Sequence, residues 1–217
     1  MRVAYDVAPK IGSTLSRQTI DADLRYYQRL ATSGVLALRF RGFKRMGAYP
    51  DFLYFGGNSE MRGYDYLSFV GQKSMFANAE LRCPIIEAAL TPIGVIGGIR
   101  GVFFANIGGG WFNNQDYTFA TSKAETVTPI TSYTYDLLGN ATPVYGSPTT
   151  VSGLRLRDGR ASYGFGLETF ALGFPIHFDW SWRTLMNKEW EDVTFALDGG
   201  SAAFRKPRFA VWIGYDF

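Results

Sequence analysis

The chain has 217 residues, of which 19% are charged and 17% aromatic, and its formal net charge is +3. Its lysines and arginines are scattered rather than clustered, which excludes the basic surface that nucleic-acid binding needs. Every hydrophobic run is interrupted by a polar or charged residue before it reaches about 18 residues, so the sequence predicts no transmembrane helix. The abundance of aromatic residues and glycine is typical of a membrane β-barrel, although a soluble β-sandwich can have the same composition.

Eight segments alternate between apolar and polar side chains with a period of two. This is the pattern of a barrel wall, in which one set of residues faces lipid and the other faces a polar lumen. In chain order, the segments are residues 3–7, 20–27, 36–41, 75–82, 99–107, 162–168, 177–183 and 208–217. They predict an all-β fold, a transmembrane antiparallel β-barrel with eight strands in this chain.

The predicted connections between these segments alternate in length. Residues 8–18, 42–74, 112–161 and 184–207 form long connections, and residues 31–34, 84–98 and 171–176 form shorter ones. Outer-membrane barrels have long external loops and short periplasmic turns, so both chain ends are predicted to be periplasmic. Residues 1–217 are therefore interpreted as a single barrel domain with long external loops at about 42–74, 112–161 and 184–207. The loop at 112–161 either orders over the barrel, binds a partner or is merely solvated.

A motif in the second long loop carries a family resemblance. The stretch from Tyr54 to Tyr64, which contains Arg62-Gly63-Tyr64, and the stretch from Ala79 to Pro84 resemble the bacterial surface antigen family, the barrel of BamA, TamA and TpsB-type transporters. The resemblance implies that the Arg-Gly-Tyr tip folds back into the lumen, where the arginine meets carboxylates on the next two strands. It covers about residues 36–217 and corresponds to the C-terminal half of a sixteen-stranded barrel.

By this resemblance, the loop-anchor acceptors for Arg62 are Glu80 and Asn106, and the second is a departure because an aspartate is usual there. The alternation of polar residues independently turns both side chains inward, and a confined guanidinium needs acceptors for its planar fork. An amide in place of a carboxylate predicts either a weaker anchor or the recruitment of another acid, Glu168 or Asp179.

The end of the chain is similar to the terminal assembly signal of the same family, which the barrel-assembly machinery reads during biogenesis. The residues that carry this similarity are apolar or small and lie near or at the C-terminus: Phe209, Val211, Ile213, Gly214, Tyr215 and Phe217.

No catalytic set is predicted, so the chain is interpreted as a non-enzyme without cofactor or metal. The glycines at 108–110 are not followed by a helix, which argues against a phosphate-binding loop. His177 and Asp179 lie on one predicted face but lack a nucleophile motif, and a hydrogen-bonded lumenal pair is the expected arrangement. The single cysteine, Cys83, has no neighbours at metal-ligand spacing.

The loop at 42–74 bears on the size of the barrel. An eight-stranded barrel that closes on itself encloses little more than its own side chains, and unpaired strand edges cannot face hydrocarbon. We therefore hypothesise that two copies pair through their strand edges into a sixteen-stranded homodimeric barrel. A self-closed barrel with the loop outside and a fragment of a longer barrel are the alternatives.

The predicted function is non-catalytic insertion or translocation of proteins in the bacterial outer membrane. A passive pore or solute channel and a structural membrane anchor are the alternatives. The expected partners are outer-membrane lipid, the barrel-assembly machinery, a second copy of the chain and an unidentified client protein, with no nucleic acid among them.

Overall fold

The computed structural model describes residues 1–30, 33–91, 94–171 and 174–215, with the side chains at 87–97 and 171 left out. The chain forms two compact units. One, the sheet unit, comprises Met1–Tyr117, Ser162–Trp182 and Pro207–Phe217, and the other, the loop unit, comprises Thr118–Ala161 and Arg183–Lys206.

The elements follow the chain in a simple order. The strands are β1 (Arg2–Ala8), β2 (Arg17–Leu30), β3 (Gly34–Met46), β4 (Leu53–Phe55), β5 (Phe69–Gly71), β6 (Lys73–Thr91), β7 (Gly94–Trp111), β8 (Ala120–Thr121), β9 (Glu125–Val127), β10 (Ile130–Tyr135), β11 (Ala141–Tyr145), β12 (Thr149–Val151), β13 (Arg155–Leu156), β14 (Arg160–Ala171), β15 (Phe174–Thr184) and β16 (Arg208–Ile213). Between β15 and β16 lie helix α1 (Lys188–Thr194), a 3₁₀ turn (Ala196–Asp198) and helix α2 (Gly200–Phe204).

Eight of these strands form one sheet in the order β1-β2-β3-β6-β7-β14-β15-β16. The pairs β1–β2, β2–β3, β3–β6, β6–β7 and β15–β16 are antiparallel. Each segment predicted from the alternation overlaps one of these strands, so the eight-stranded sheet is confirmed. The last segment was predicted to run to residue 217, but β16 ends at Ile213, and residues 216–217 lie outside the described residues. Among the described residues, no helix has the length and hydrophobicity that a membrane crossing requires.

The predicted connection at 84–98 was wrong, because β6 and β7 occupy nearly all of it. Their ladder runs on through Ala88 opposite Gly97 to Thr91 opposite Gly94. Pro84 lies within β6, although proline cannot donate to a ladder. The strand accommodates it with a register shift between Pro84 and Ile86. The predicted connections at 31–34 and 171–176 include residues 31–32 and 172–173, which lie outside the described residues.

The two faces of the sheet differ in composition. One face, here called the covered face, buries polar and charged side chains beneath the loop between β3 and β6. The other, the open face, exposes aromatic and aliphatic side chains, among them Phe103, Tyr163, Phe165, Leu167, Phe209, Val211 and Ile213. This distribution is the reverse of a soluble sheet, whose apolar face is the buried one.

The loop unit has a small core of its own. Its strands form three two-stranded ladders, β8–β13, β9–β12 and β10–β11. Asn187 caps α1 by accepting a hydrogen bond from the Trp190 backbone N–H at 3.0 Å. The buried side chain of Glu191 accepts from the Leu185 N–H at 2.7 Å and pairs with Arg205. The segment predicted as a loop at 112–161 contains the six short strands β8 to β13.

Candidate functional site

The loop that carries the Arg-Gly-Tyr motif spans residues 47–72, between β3 and β6, and is called the Arg62 loop below. Its β4 and β5 pair with each other, and a bridge between Gly57 and Met61 closes the turn inside them. Glu60 Oε2 accepts from the Gly56 N–H at 2.8 Å, so a side chain of the turn also stabilises it. Arg62 therefore projects from a turn with its own internal hydrogen bonds.

Apolar packing seats the loop on the covered face. Phe55 and Met61 of the loop are buried against Phe43 of β3 and Phe76 of β6, with the Phe55 and Phe76 rings stacked at 5.4 Å. A Cβ at Gly108 of β7 would lie 3.1 Å from Met61 Sδ and 2.7 Å from Phe76 Cβ, so the glycine provides the space for this contact. Burial of these side chains holds the loop independently of its charges.

The Arg62 guanidinium lies between acids of two different strands. Its Nη2 is 2.8 Å from Glu80 Oε1 on β6, and its Nε is 3.5 Å from Asp179 Oδ2 on β15. Nε also donates to the Asn58 carbonyl at 3.2 Å, and the guanidinium carbon lies 4.6 Å from the centre of the Phe104 ring. Arg62 is 3% exposed and Glu80 1%, so water does not screen this pair.

Asn106 is connected to the backbone carbonyl of Arg62, through Ser162, rather than to the Arg62 guanidinium. Its Oδ1 accepts from Asn78 Nδ2 at 2.8 Å, and its Nδ2 donates to Ser162 Oγ at 3.1 Å. The Ser162 hydroxyl donates in turn to the Arg62 carbonyl. This series of hydrogen bonds requires one donor and one acceptor on the Asn106 side chain. An amide supplies both, whereas an ionised carboxylate supplies only acceptors.

Of the two acids that the sequence left open, Asp179 is the one beside Arg62. Glu168 pairs with Arg100 instead. A Cβ at Gly166 would lie 2.1 Å from Asp179 Oδ1, so this glycine leaves the space in which the carboxylate sits. The Asp179 carboxylate also accepts from Trp212 Nε1 at 2.7 Å.

His177 and Asp179 do not form the predicted pair with each other, and both contact Trp212. The His177 and Trp212 rings stack at 3.7 Å with an interplanar angle of 4°. His177 Nε2 lies 2.9 Å from the Gly214 carbonyl oxygen. A histidine held in this way is part of the packing between β15 and β16.

Gly63 and Tyr64 have structural reasons for their identity. Gly63 has φ +86°, and a Cβ there would lie 2.9 Å from Ser181 Oγ of β15. Both the left-handed backbone and the close approach to the sheet favour glycine. The Tyr64 ring packs edge-on against Phe69 of the loop at 5.2 Å.

Sequence reasoning did not single out Asp65, Arg208 or Trp212 as site residues. Arg208 Nη1 lies 3.0 Å from Asp65 Oδ1 and donates to the Gly63 carbonyl at 3.4 Å. The signal was available in the last segment, whose alternation places Arg208 and Trp212 on the same face, away from the apolar residues.

The apolar residues of the predicted terminal signal lie on the open face. Phe209, Val211 and Ile213 of β16 are exposed there, and Tyr215 is exposed beyond the end of the strand. Gly214 contributes its carbonyl to His177, as described above. Phe217 lies outside the described residues.

A second group of ion pairs lines the covered face along β2 and β3. Arg39 donates to both oxygens of Asp23 at 3.2 and 3.0 Å, and Arg41 donates to both oxygens of Asp21 at 3.2 and 2.9 Å. Arg25 makes a third two-pronged contact, with Asp23 on its own strand. These contacts satisfy charged groups on the face that the alternation predicted to be polar.

A sheet with one apolar, open face and one polar face lined with ion pairs is characteristic of the wall of an outer-membrane β-barrel. The chain belongs to the Omp85 superfamily, since the Omp85 superfamily domain matches residues 2–217. The resemblance seen in the loop motif is thereby confirmed. Omp85 proteins are bacterial outer-membrane proteins with roles in protein assembly or translocation. No curated protein and no solved structure gives a match to this chain.

Proposed function

We propose that this chain forms part of the wall of an outer-membrane barrel that inserts or translocates proteins without catalysis. The observation that carries the proposal is the Arg62 loop, which is held on the covered face by a buried arginine between Glu80 and Asp179. A loop pinned inside a barrel narrows the lumen, and its displacement would open a path for a polypeptide. The family membership supports the same role.

The open face supports contact with lipid. Phe165 stacks on Trp180, which in turn packs on Phe209, so three neighbouring strands present a continuous apolar surface. The transfer of such side chains to hydrocarbon is favourable, whereas their exposure to water is not. We propose outer-membrane lipid as the partner of this face and the bacterial outer membrane as the location of the chain.

The edges of the sheet support pairing with a second copy. Among the described strands, β1 and β16 have one neighbour each in the sheet. Each backbone group that is left unpaired in hydrocarbon costs several kcal/mol. Eight strands that closed on themselves would also leave no room for the Arg62 loop, whose Phe55, Met61 and Arg62 are buried. A homodimer with sixteen strands meets both requirements.

Native mass spectrometry of the full chain in detergent tests the homodimer. We expect a species of twice the chain mass with intact β-structure by circular dichroism. A strictly monomeric species that retains the same β-structure contradicts the homodimer and leaves the self-closed barrel or a longer barrel as the arrangement.

The terminal segment is proposed as the signal that the barrel-assembly machinery reads. Substitution of Phe217 with alanine should lower the amount of chain assembled into outer membranes, while replacement of the exposed Leu154 in the loop unit with alanine serves as a control. Equal membrane levels of the two variants contradict this role.

Client insertion into liposomes tests the proposed function. The probe is a small outer-membrane barrel protein added in its urea-unfolded form, and its folding is followed by protease protection. We expect faster folding in liposomes that contain the chain than in empty liposomes. Equal rates contradict the insertion function. Steady, large conductance of the same preparation in planar bilayers would identify a passive channel instead.

A further inference from the structure

The last strand of the sheet, β16, is hydrogen-bonded to a single neighbouring strand, β15. It pairs with β15 over six residues, from Arg208 opposite Ser181 to Ile213 opposite Ile176, and it lies at an edge of the sheet. An edge strand has backbone hydrogen bonds to one neighbour only, so contacts made by its side chains add to its attachment. On the covered face, those side chains reach the Arg62 loop at two places.

The first attachment is at the beginning of β16. The Arg208 guanidinium binds the Asp65 carboxylate at 3.0 Å and the Gly63 carbonyl at 3.4 Å, and both acceptors belong to the loop. The Arg208 backbone carbonyl accepts from Ser181 Oγ of β15 at 3.3 Å. Arg208, the first residue of the β15–β16 ladder, therefore connects β16 to the loop.

The second attachment is near the end of β16 and centres on Trp212. Its indole N–H donates to the same Asp179 oxygen that lies 3.5 Å from Arg62 Nε. The ring itself lies 5.7 Å from the Arg62 guanidinium carbon. Its other neighbour is His177, which stacks on it and also contacts the carbonyl of Gly214, just beyond the strand.

We propose that Trp212 and His177 are positioning residues that couple the Arg62 loop to the edge strand β16. The shared element is the Asp179 carboxylate, which forms an ion pair with the loop arginine and accepts a hydrogen bond from the strand tryptophan. When either partner leaves, the buried carboxylate keeps fewer partners, so its interaction with the other one changes as well. Coupling of this kind is reciprocal: a change in the loop alters β16, and a change in β16 alters the loop.

The coupling gives the proposed function a means of regulation. Movement of the loop away from the covered face would loosen β16, which is one of the edges where a further strand would pair. This interpretation of the released edge rests on the proposed function. The coupling itself is a property of the folded chain and is measurable without a client or a dimer.

Hydrogen exchange followed by mass spectrometry on the full chain in detergent tests the coupling. Trp212→Phe removes the indole N–H but retains an aromatic ring for His177 to stack on. We expect it to speed exchange in the loop peptide 56–66 as well as in the strand peptide 208–215, by about fivefold or more, the lower end of usual couplings between sites. Arg62→Lys should speed exchange in the same two peptides.

Trp180→Phe is the matched control. Trp180 is on β15 and packs against Phe209 of β16, but on the open face and away from the loop. We expect this variant to leave exchange in the loop peptide unchanged. The double variant Arg62→Lys/Trp212→Phe should exchange little faster than either single variant, because both changes break the same connection.

Two results overturn the proposal: faster exchange of β16 alone in Trp212→Phe, or multiplicative effects of the two changes in the double variant. Asp65→Asn offers a second route, since Asp65 is largely exposed and its substitution does not disturb the buried network. Faster exchange of β16 in this variant supports the coupling. Unchanged exchange shows that the contact between Arg208 and Asp65 does not contribute to it. Native mass spectrometry of the same samples reports on the homodimer separately, so failure of one proposal is distinguishable from failure of the other.

Discussion

The sheet unit and the loop unit each bury an arginine, but the two arginines have different partners. Arg62 lies between Glu80 and Asp179, whose side chains are both almost fully buried. Arg155 is also fully buried, but it pairs with Glu125, about one third exposed, and donates to the Lys123 carbonyl at 2.9 Å. Water can therefore solvate the acid that Arg155 would leave behind, but not the two that Arg62 would leave.

This difference separates two structural roles of a buried arginine that pairs with acids. In the loop unit, Arg155 joins segments of one small fold and packs under the Trp190 ring at 4.8 Å. In the sheet unit, Arg62 joins a loop to two strands that are far apart in sequence. Arg62 therefore connects a loop to the eight-stranded sheet, whereas Arg155 connects segments within the loop unit.

The largest expected effect is that of Arg62→Ala. Removal of one partner from a buried ion pair destabilises by up to about 3–5 kcal/mol when the remaining charge has no other partner. Here Glu80 keeps Arg82 at 2.7 Å and Asp179 keeps the Trp212 indole N–H, so the loss falls mainly on Asp179, which has no second cation beside it among the described contacts. We expect a lower urea midpoint for the unfolding of the full chain in detergent, and a higher conductance in planar bilayers as the loop loosens. A variant with the parent's stability and conductance shows that Arg62 does not anchor the loop.

Arg155→Ala should have a smaller effect, confined to the loop unit. Glu125 is about one third exposed and retains Arg157, whose Nη2 lies 3.4 Å from Glu125 Oε1, so both water and Arg157 compensate its charge. We expect faster hydrogen exchange in residues 118–161 and unchanged exchange in the peptide 56–66. If the peptide 56–66 responds as strongly as the loop unit, the distinction between the two arginines is wrong.

Gly63→Ala tests the approach of the loop to the sheet, and the loop unit offers a close control. Gly139 has φ +83°, nearly the same as Gly63, but a Cβ there would meet nothing within 4 Å. Both variants force alanine into a left-handed conformation, at a cost of about 1 kcal/mol, and only Gly63→Ala adds a clash with Ser181. The urea midpoint should therefore fall more for Gly63→Ala. Equal shifts show that the loop does not approach β15 this closely.

The smallest expected effect is the pH dependence of the helices in the loop unit. Hydrogen bonds from Ser201 hold the pKa of the Asp192 carboxyl below its usual value of 3.8. Because the folded-state pKa is depressed, the contribution to stability is present above about pH 4 and is lost as the pH falls below it. We expect exchange in residues 188–204 to lose protection on acidification in the parent, and Asp192→Asn to reduce this loss. The same pH dependence in both proteins rules out Asp192 as its source.

The sheet was predictable because each of its strands has two different faces. Alternation along Tyr163, Phe165 and Leu167 marks a strand that is apolar on one side and polar on the other, and no helix gives that pattern. The short strands of the loop unit lack this signal. Ile130–Tyr135 and Ala141–Tyr145 pair at the surface with exposed residues on both sides, so only their pairing defines them.

The site was predictable as far as residues on neighbouring strands could be assigned to one face. Alternation turned Glu80, Glu168 and Asp179 inward, and the loop motif pointed to Arg62. The choice between Glu168 and Asp179 depended on how β14 and β15 align and on the space left by Gly166, which single-strand patterns do not contain. The contacts of Trp212 depended on the same alignment.

The most direct test of the central claim is client insertion into liposomes with Arg62→Lys beside Arg155→Lys. Lysine keeps the positive charge at each position but lacks the planar, forked donors of the guanidinium. Both variants therefore change the hydrogen-bonding geometry and not the charge. We predict that Arg62→Lys lowers the rate at which the chain folds an added outer-membrane barrel protein, while Arg155→Lys leaves the rate at the parent's value. Equal rates for the parent and Arg62→Lys would contradict a role for the Arg62 loop in insertion.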